Sequence, residues 1–147
     1  MTAQMMDGIQ INGIKHDLAC EPLDPYIEQW KKSHKIIKKF TCTACWRGYI
    51  AEWEILDDKL YLTNISGIKQ FKMEPYVTIS TLFPDSKENI FAKWFTGTLW
   101  VPMGNQLQYI HSGYASVYER DLVITINKGW VVSQNTIENE LPKELYL

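Results

Sequence analysis

Ser116-Val117-Tyr118-Glu119-Arg120-Asp121-Leu122-Val123-Ile124-Thr125-Ile126, then Asn127-Lys128-Gly129, then Trp130-Val131-Val132-Ser133, is the stretch that decides the fold. β-Branched and aromatic residues fill both runs, and such side chains suit a pleated, half-buried surface. The Asn-Lys-Gly between them is turn chemistry, so the runs read as adjacent strands. Working backwards, Gly97 to Val101 and Leu107 to Ser112 read as further strands, punctuated by Pro102-Met103-Gly104-Asn105 and by Gly113. The last third of the chain is thus expected to be an antiparallel meander.

The same signals recur upstream. Asn12-Gly13 separates Gly8-Ile9-Gln10-Ile11 from Ile14-Lys15-His16-Asp17-Leu18, which is a hairpin signature. Thr41 to Leu56, a turn at Asp57-Asp58, and Lys59 to Ile65 with Gly67 after it predict a second hairpin. Between the hairpins, Asp24-Pro25 is a helix start, and Ile27, Trp30, His34 and Ile37 keep helical spacing. A long helix over 24–39 is expected, with Asp24 and Glu28 early and Lys35, Lys38 and Lys39 late, complementing the helix dipole. A second, short helix is expected over 87–95 after the Pro84-Asp85-Ser86 break, where Ile90, Phe91 and Trp94 share one face. The fold class predicted is α+β and mainly antiparallel β. It has about eight strands in one strongly curved sheet or a sandwich, compatible with barrel closure, with one long and one short helix packed on it.

Length and composition bound the rest. A chain of 147 residues with no repeat, linker or low-complexity tract reads as a single domain, 1–147, with one core. The hydrophobic fraction of 46% and charged fraction of 22% exclude a disordered chain. Net charge is −2, which argues against a nucleic-acid protein, although Lys31, Lys32, Lys35, Lys38 and Lys39 form one basic patch. No signal peptide and no apolar run of membrane-spanning length is found, so a cytoplasmic protein with no membrane contact is expected. Three cysteines fit reduced thiols in that compartment.

Arg47 and Arg120 are the only arginines, and alternation places each among apolar neighbours on a strand face. A buried guanidinium cannot lose its proton and must find carboxylates, carbonyls or an anionic ligand. One reading is therefore an anion clamp of Arg47 and Arg120 with Tyr49, His111 and Tyr118 nearby; the other is a pair of structural ion pairs. Cys42-Thr43-Ala44-Cys45 has zinc or redox spacing. Three residues apart in a strand point to opposite faces, however, so no metal and no cofactor is expected. Glu52 and Glu54 share a strand face and mark the solvent side. No catalytic residue is assigned, because no phosphate loop, zinc-protease helix or nucleophile elbow is present.

Ala44-Cys45-Trp46-Arg47-Gly48-Tyr49-Ile50-Ala51-Glu52-Trp53-Glu54-Ile55 with Lys59-Leu60-Tyr61-Leu62 resembles a pattern of small uncharacterised bacterial single-domain proteins. Trp94-Phe95-Thr96-Gly97-Thr98-Leu99, Gly113-Tyr114 and Val117-Tyr118-Glu119 extend that resemblance over most of the chain. It implies no catalytic residue, and in that family other residues stand at Cys42 and Cys45. The expected function is a non-enzymatic binding protein, specifically an immunity-type inhibitor of a bacterial toxin domain. Its aromatics would anchor the interface, and acidic segments such as Asp57-Asp58 and the tail from Glu138 would meet a basic nuclease. The alternative is a small-anion-binding protein or enzyme with a pocket between sheet and helix.

Overall fold

The computed structural model describes residues 3–34, 47, 49–67, 79–86 and 88–140. Eight strands, β1 (Asp7–Ile11), β2 (Ile14–Leu18), β3 (Tyr49–Leu56), β4 (Lys59–Gly67), β5 (Ile90–Phe91), β6 (Gly97–Gln108), β7 (Val117–Asn127) and β8 (Trp130–Glu138), form a mostly antiparallel sheet. Among the described residues two helices accompany them, α1 (Asp24–His34) and the four-residue α2 (Ile79–Leu82). The strand order is β2-β1-β3-β4-β8-β7-β6, with β5 branching from β4.

Local chemistry explains the hairpins. Asn12 and Gly13, Asp57 and Asp58, and Lys128 and Gly129 all have positive φ, from 49° to 87°, which two-residue turns between twisted strands require. Gly129 also leaves no room for a side chain, because a Cβ there would lie 2.8 Å from the Ala92 carbonyl oxygen. One pairing departs from the antiparallel expectation: β1 lies parallel to β3, Ile9 beside Trp53 and Ile11 beside Ile55.

The sheet works as two halves. β4 and β8 meet only at Lys59 and Trp130. There the Leu60 N–H donates to Gly129 O and the Val131 N–H to Asp58 O, both at 2.8 Å. At the other end of the path no strand pairing closes the sheet among the described residues, although the Ala19 N–H donates to Trp100 O on β6 at 2.8 Å. The halves share one core: Ile9, Ala51, Trp53, Leu60 and Leu62 from one side, Leu99, Val101, Ile124 and Ile126 from the other. α1 caps it with the buried Leu23 and Ile27. Trp94, Tyr26 and Phe83 stack beside it, with ring centroids 4.7–5.7 Å apart.

Several expectations need correction. The segment 88–95 is not helical: Ile90 and Phe91 pair with Leu62 and Tyr61 as β5, and Trp94 follows in a turn. Pairing with β4 satisfies the same apolar positions that helical spacing had suggested. Pro102-Met103-Gly104-Asn105 is not a turn; β6 runs through it with Pro102 in register with Asp121 and register shifts beyond Met103, and an edge strand tolerates a proline whose missing N–H no partner needs. Accordingly Leu107 closes β6 rather than opening a separate strand, and His111 sits in a bend. Arg47 precedes β3 in a turn, so it does not share strand alternation with Tyr49. The expected start of that strand at Thr41, the Cys42–Cys45 pair and the continuation of α1 to 39 lie outside the described residues.

Candidate functional site

Arg47 sits at the centre of a buried polar knot. Its Nη2 donates to Asp7 Oδ1 at 2.6 Å, and Nη1 donates to Met5 O at 2.8 Å and to the Tyr114 hydroxyl oxygen at 3.2 Å. Asp7 is fully buried, the Arg47 side chain 2% exposed. The remaining capacity of Asp7 is filled by the Ala51 N–H at 3.0 Å and the Trp53 indole N–H at 3.1 Å. Glu21 adds a second carboxylate, 3.7 Å from Nη1, and accepts the Tyr114 hydroxyl proton at 2.7 Å. The guanidinium carbon lies 5.4 Å from the centroid of the Tyr49 ring, whose hydroxyl donates to Asp24 at 3.2 Å.

Burial sets the electrostatics of this knot. It pushes the Asp7 carboxyl above its ordinary range, against the opposing pull of Arg47 and of the Ala51 and Trp53 donors. It likewise raises the Tyr49 hydroxyl, helped by the Asp24 charge. Tyr114 is raised for the same first reason, the pull of Arg47 opposing it. Chemically, the arrangement ties the amino-terminal segment, β1 and the Gly113–Tyr114 turn to the start of β3. The parallel bridge between Ala3 and Gly113 lies in the same seam.

The other sequence-predicted residues lie apart. Arg120, on β7, is part-exposed and stands 3.7 Å from Glu119; it lines a shallow depression with Lys15, His16 and Met103. His111 is exposed, its Nδ1 2.8 Å from the Tyr109 hydroxyl. Tyr118 borders a cavity of about 250 Å³ together with Trp100, Pro102, Tyr114, Asp121 and Asn139. Thus Tyr49 joins Arg47, while Arg120, His111 and Tyr118 do not, and both arginines face protein carboxylates.

A different surface stands out, on the outer side of β6, β7 and β8. Register aligns Thr98 with Thr125 and Ser133, Trp100 with Val123 and Asn135, and Pro102 with Asp121 and Ile137. These positions alternate with the buried Leu99, Val101 and Ile124, so they share the face turned away from the core. Trp100 is 41% exposed and Ile137 42%. The charged residues of these rows are acidic: Asp121, and Glu119 two positions before it. Asp121 is held by the Asn139 amide at 2.8 Å, and Glu119 accepts the Asn105 N–H at 2.6 Å.

Sequence reasoning missed Asp7, Trp100 and Ile137. A signal existed for the first: Asp7 precedes Ile9 and Ile11 at alternate positions, which places an acid on the core face of β1. Among the described residues no group of acids, histidines and cysteines is arranged to hold a metal ion, and no helix is long and apolar enough to cross a membrane. The chain matches no family model, no curated protein and no solved structure.

Proposed function

We propose that this chain is a non-enzymatic binding protein that docks a basic protein partner on the outer face of β6, β7 and β8. An immunity-type inhibitor of a bacterial toxin domain is the form of that reading we favour. The observation that carries it is the pairing of exposed Trp100 and Ile137 with Glu119 and Asp121 on one sheet face. A large apolar anchor with acidic groups beside it suits a complementary protein surface, and acidic groups steer a cationic partner to it. The anion-binding alternative draws less support, since an incoming anion at Arg47 would compete with Asp7 at 2.6 Å. Within this reading the protein acts in the bacterial cytoplasm and belongs with the small single-domain proteins whose Trp-Arg-Gly-Tyr pattern it resembles.

The test is growth rescue. The chain is co-expressed with a panel of basic bacterial nuclease toxin domains, and rescue by wild type but not by Trp100→Asp or Ile137→Asp is expected. Loss of a central Trp anchor should weaken the isolated complex by at least about 30-fold. Absence of rescue across the panel, or rescue indifferent to both substitutions, rejects the reading.

A further inference from the structure

Among the described residues, β8 carries an edge that no other strand uses. Beyond Val131 no strand pairs with its outer side among the described residues, because β4 begins at Lys59 opposite Trp130 and runs the other way. The phase of its hydrogen bonds follows from one contact. The Asn139 N–H donates to Glu119 O at 2.9 Å, and the register from Arg120–Glu138 to Thr125–Ser133 is unbroken. In an antiparallel ladder alternate residues exchange bonds with the partner strand. Ser133, Asn135 and Ile137 therefore bond to β7, and the N–H and C=O groups of Gln134, Thr136 and Glu138 point outward. All three residues are exposed.

Among the described residues the other outer edges are guarded and this one is not. β6 carries Pro102, two register shifts and the Ala19 bond; β2 carries Lys15 and Asp17. Val132-Ser133-Gln134-Asn135-Thr136-Ile137 has no charge, no proline and no glycine. Natural edges of that kind are normally protected or covered.

We infer that the β8 edge pairs antiparallel with β8 of a second copy of this chain, across a two-fold axis at Thr136. That register places all three outward residues in hydrogen-bonded pairs: Thr136 with Thr136 of the second copy, and Gln134 with Glu138 in both directions. It satisfies the outward groups in a single isologous contact. It also sets each Glu138 carboxylate against a glutamine amide rather than another carboxylate, so no like charges oppose, a match this strand makes to itself. On the outer face the same register puts Ile137 beside Asn135 of the second copy and continues the sheet from one chain to the other. This inference does not depend on the toxin-inhibitor reading, because it concerns self-association in the absence of any partner.

The experiment is light scattering on the full chain after size exclusion, from about 1 μM to about 100 μM, the range in which modest interfaces dissociate. A concentration-dependent dimer is expected. Thr136→Pro removes an outward N–H without touching the β7 ladder, so it should fold normally and weaken self-association by at least about 30-fold, two interchain hydrogen bonds being lost. Thr136→Lys, which leaves the backbone intact, should weaken it as well by bringing two ammonium groups together at the axis. Amide hydrogen exchange supplies a residue-level readout: Gln134, Thr136 and Glu138 should be protected at high concentration and lose protection on dilution. A monomer throughout the range overturns the inference. So does a dimer indifferent to both substitutions, or one in which those amides stay unprotected.

Discussion

Replacing Asp7 by alanine removes the acceptor of three hydrogen bonds from a position with no solvent exposure. The Arg47 guanidinium then keeps its charge, keeps its burial and loses its nearest carboxylate, since it cannot deprotonate. Glu21, at 3.7 Å and 30% exposed, compensates only in part. Breaking a buried pair from one side costs about 3–5 kcal/mol, a large share of the roughly 5–15 kcal/mol that holds a domain folded. A loss of about 4 kcal/mol should lower the melting temperature by roughly 8–16 °C at this size. The assay is urea and thermal unfolding followed by near-ultraviolet circular dichroism, which reports the packed Trp53. With the Arg47→Met single variant measured as well, the Asp7→Ala/Arg47→Met double variant closes the cycle. With no orphaned charge left, it should be at least about 2 kcal/mol more stable than the sum of the single losses predicts. An Asp7→Ala cost below about 1 kcal/mol, or strict additivity, would refute the claim that this pair organises the seam.

Alkaline titration should show Tyr49 silent while the protein is folded. Its hydroxyl is raised by burial, so the stabilisation is complete below the unfolded value near pH 10 and is lost as pH rises further, by up to about 1.4 kcal/mol per pH unit. Tyrosinate absorbance that appears together with unfolding is the expected result; complete ionisation of every tyrosine before unfolding contradicts it. Cys20, pushed up to about 12 from 9.0 mainly by burial, should react with a thiol reagent roughly 1,000-fold more slowly in the native than in the unfolded protein. Mass spectrometry of the tryptic peptide that follows Lys15 measures this rate, and comparable native and unfolded rates would contradict the burial. Gly129→Ala forces a Cβ to 2.7 Å from the Phe91 ring and to a φ of +87°, so a loss of roughly 2–3 kcal/mol in urea unfolding is expected. A neutral substitution there would show that the β7–β8 turn is looser than its contacts imply.

The parts of the fold readable in the sequence are those with a local physical cause. Asn12-Gly13, Asp57-Asp58 and Lys128-Gly129 announce hairpins because few residues accept positive φ. The start of α1 at Asp24-Pro25 is visible for the same kind of reason. What failed was any signal with two local solutions. Ile90, Phe91 and Trp94 fit a helix face as well as a two-residue strand followed by a turn, and only β4, distant in sequence, decides between them. Pro102 and Gly104 mark a turn in isolation but fit an edge strand with a bulge after Met103 once β6 pairs with β7. The site obeys the same limit. That Arg47 needs an anionic partner was legible; that the partner is Asp7, 40 residues away, was not. Nor could alternation tell Trp100 from a core aromatic, because each strand has two faces and the sequence does not say which is covered.

The knot and the outer sheet pose opposite energetic problems, and that difference supports the proposed division of their roles. At Arg47 an external anion would have to displace a carboxylate at 2.6 Å and leave Asp7 charged and buried, a penalty on the scale of breaking the pair itself. Nothing comparable opposes association at β6, β7 and β8. Covering Trp100 and Ile137 removes apolar surface from water at a gain of about 25 cal/mol per Å². The outward groups of Gln134 and Thr136 exchange water for strand partners at little net cost. Glu119 and Asp121 already accept hydrogen bonds from Asn105 and Asn139, so they are held in place before any partner arrives and lose little side-chain freedom on binding. The buried charges tie β1, the amino-terminal segment and the start of β3 together. In the proposed reading, recognition falls to the surface on which large apolar side chains stay exposed and the acids are already oriented.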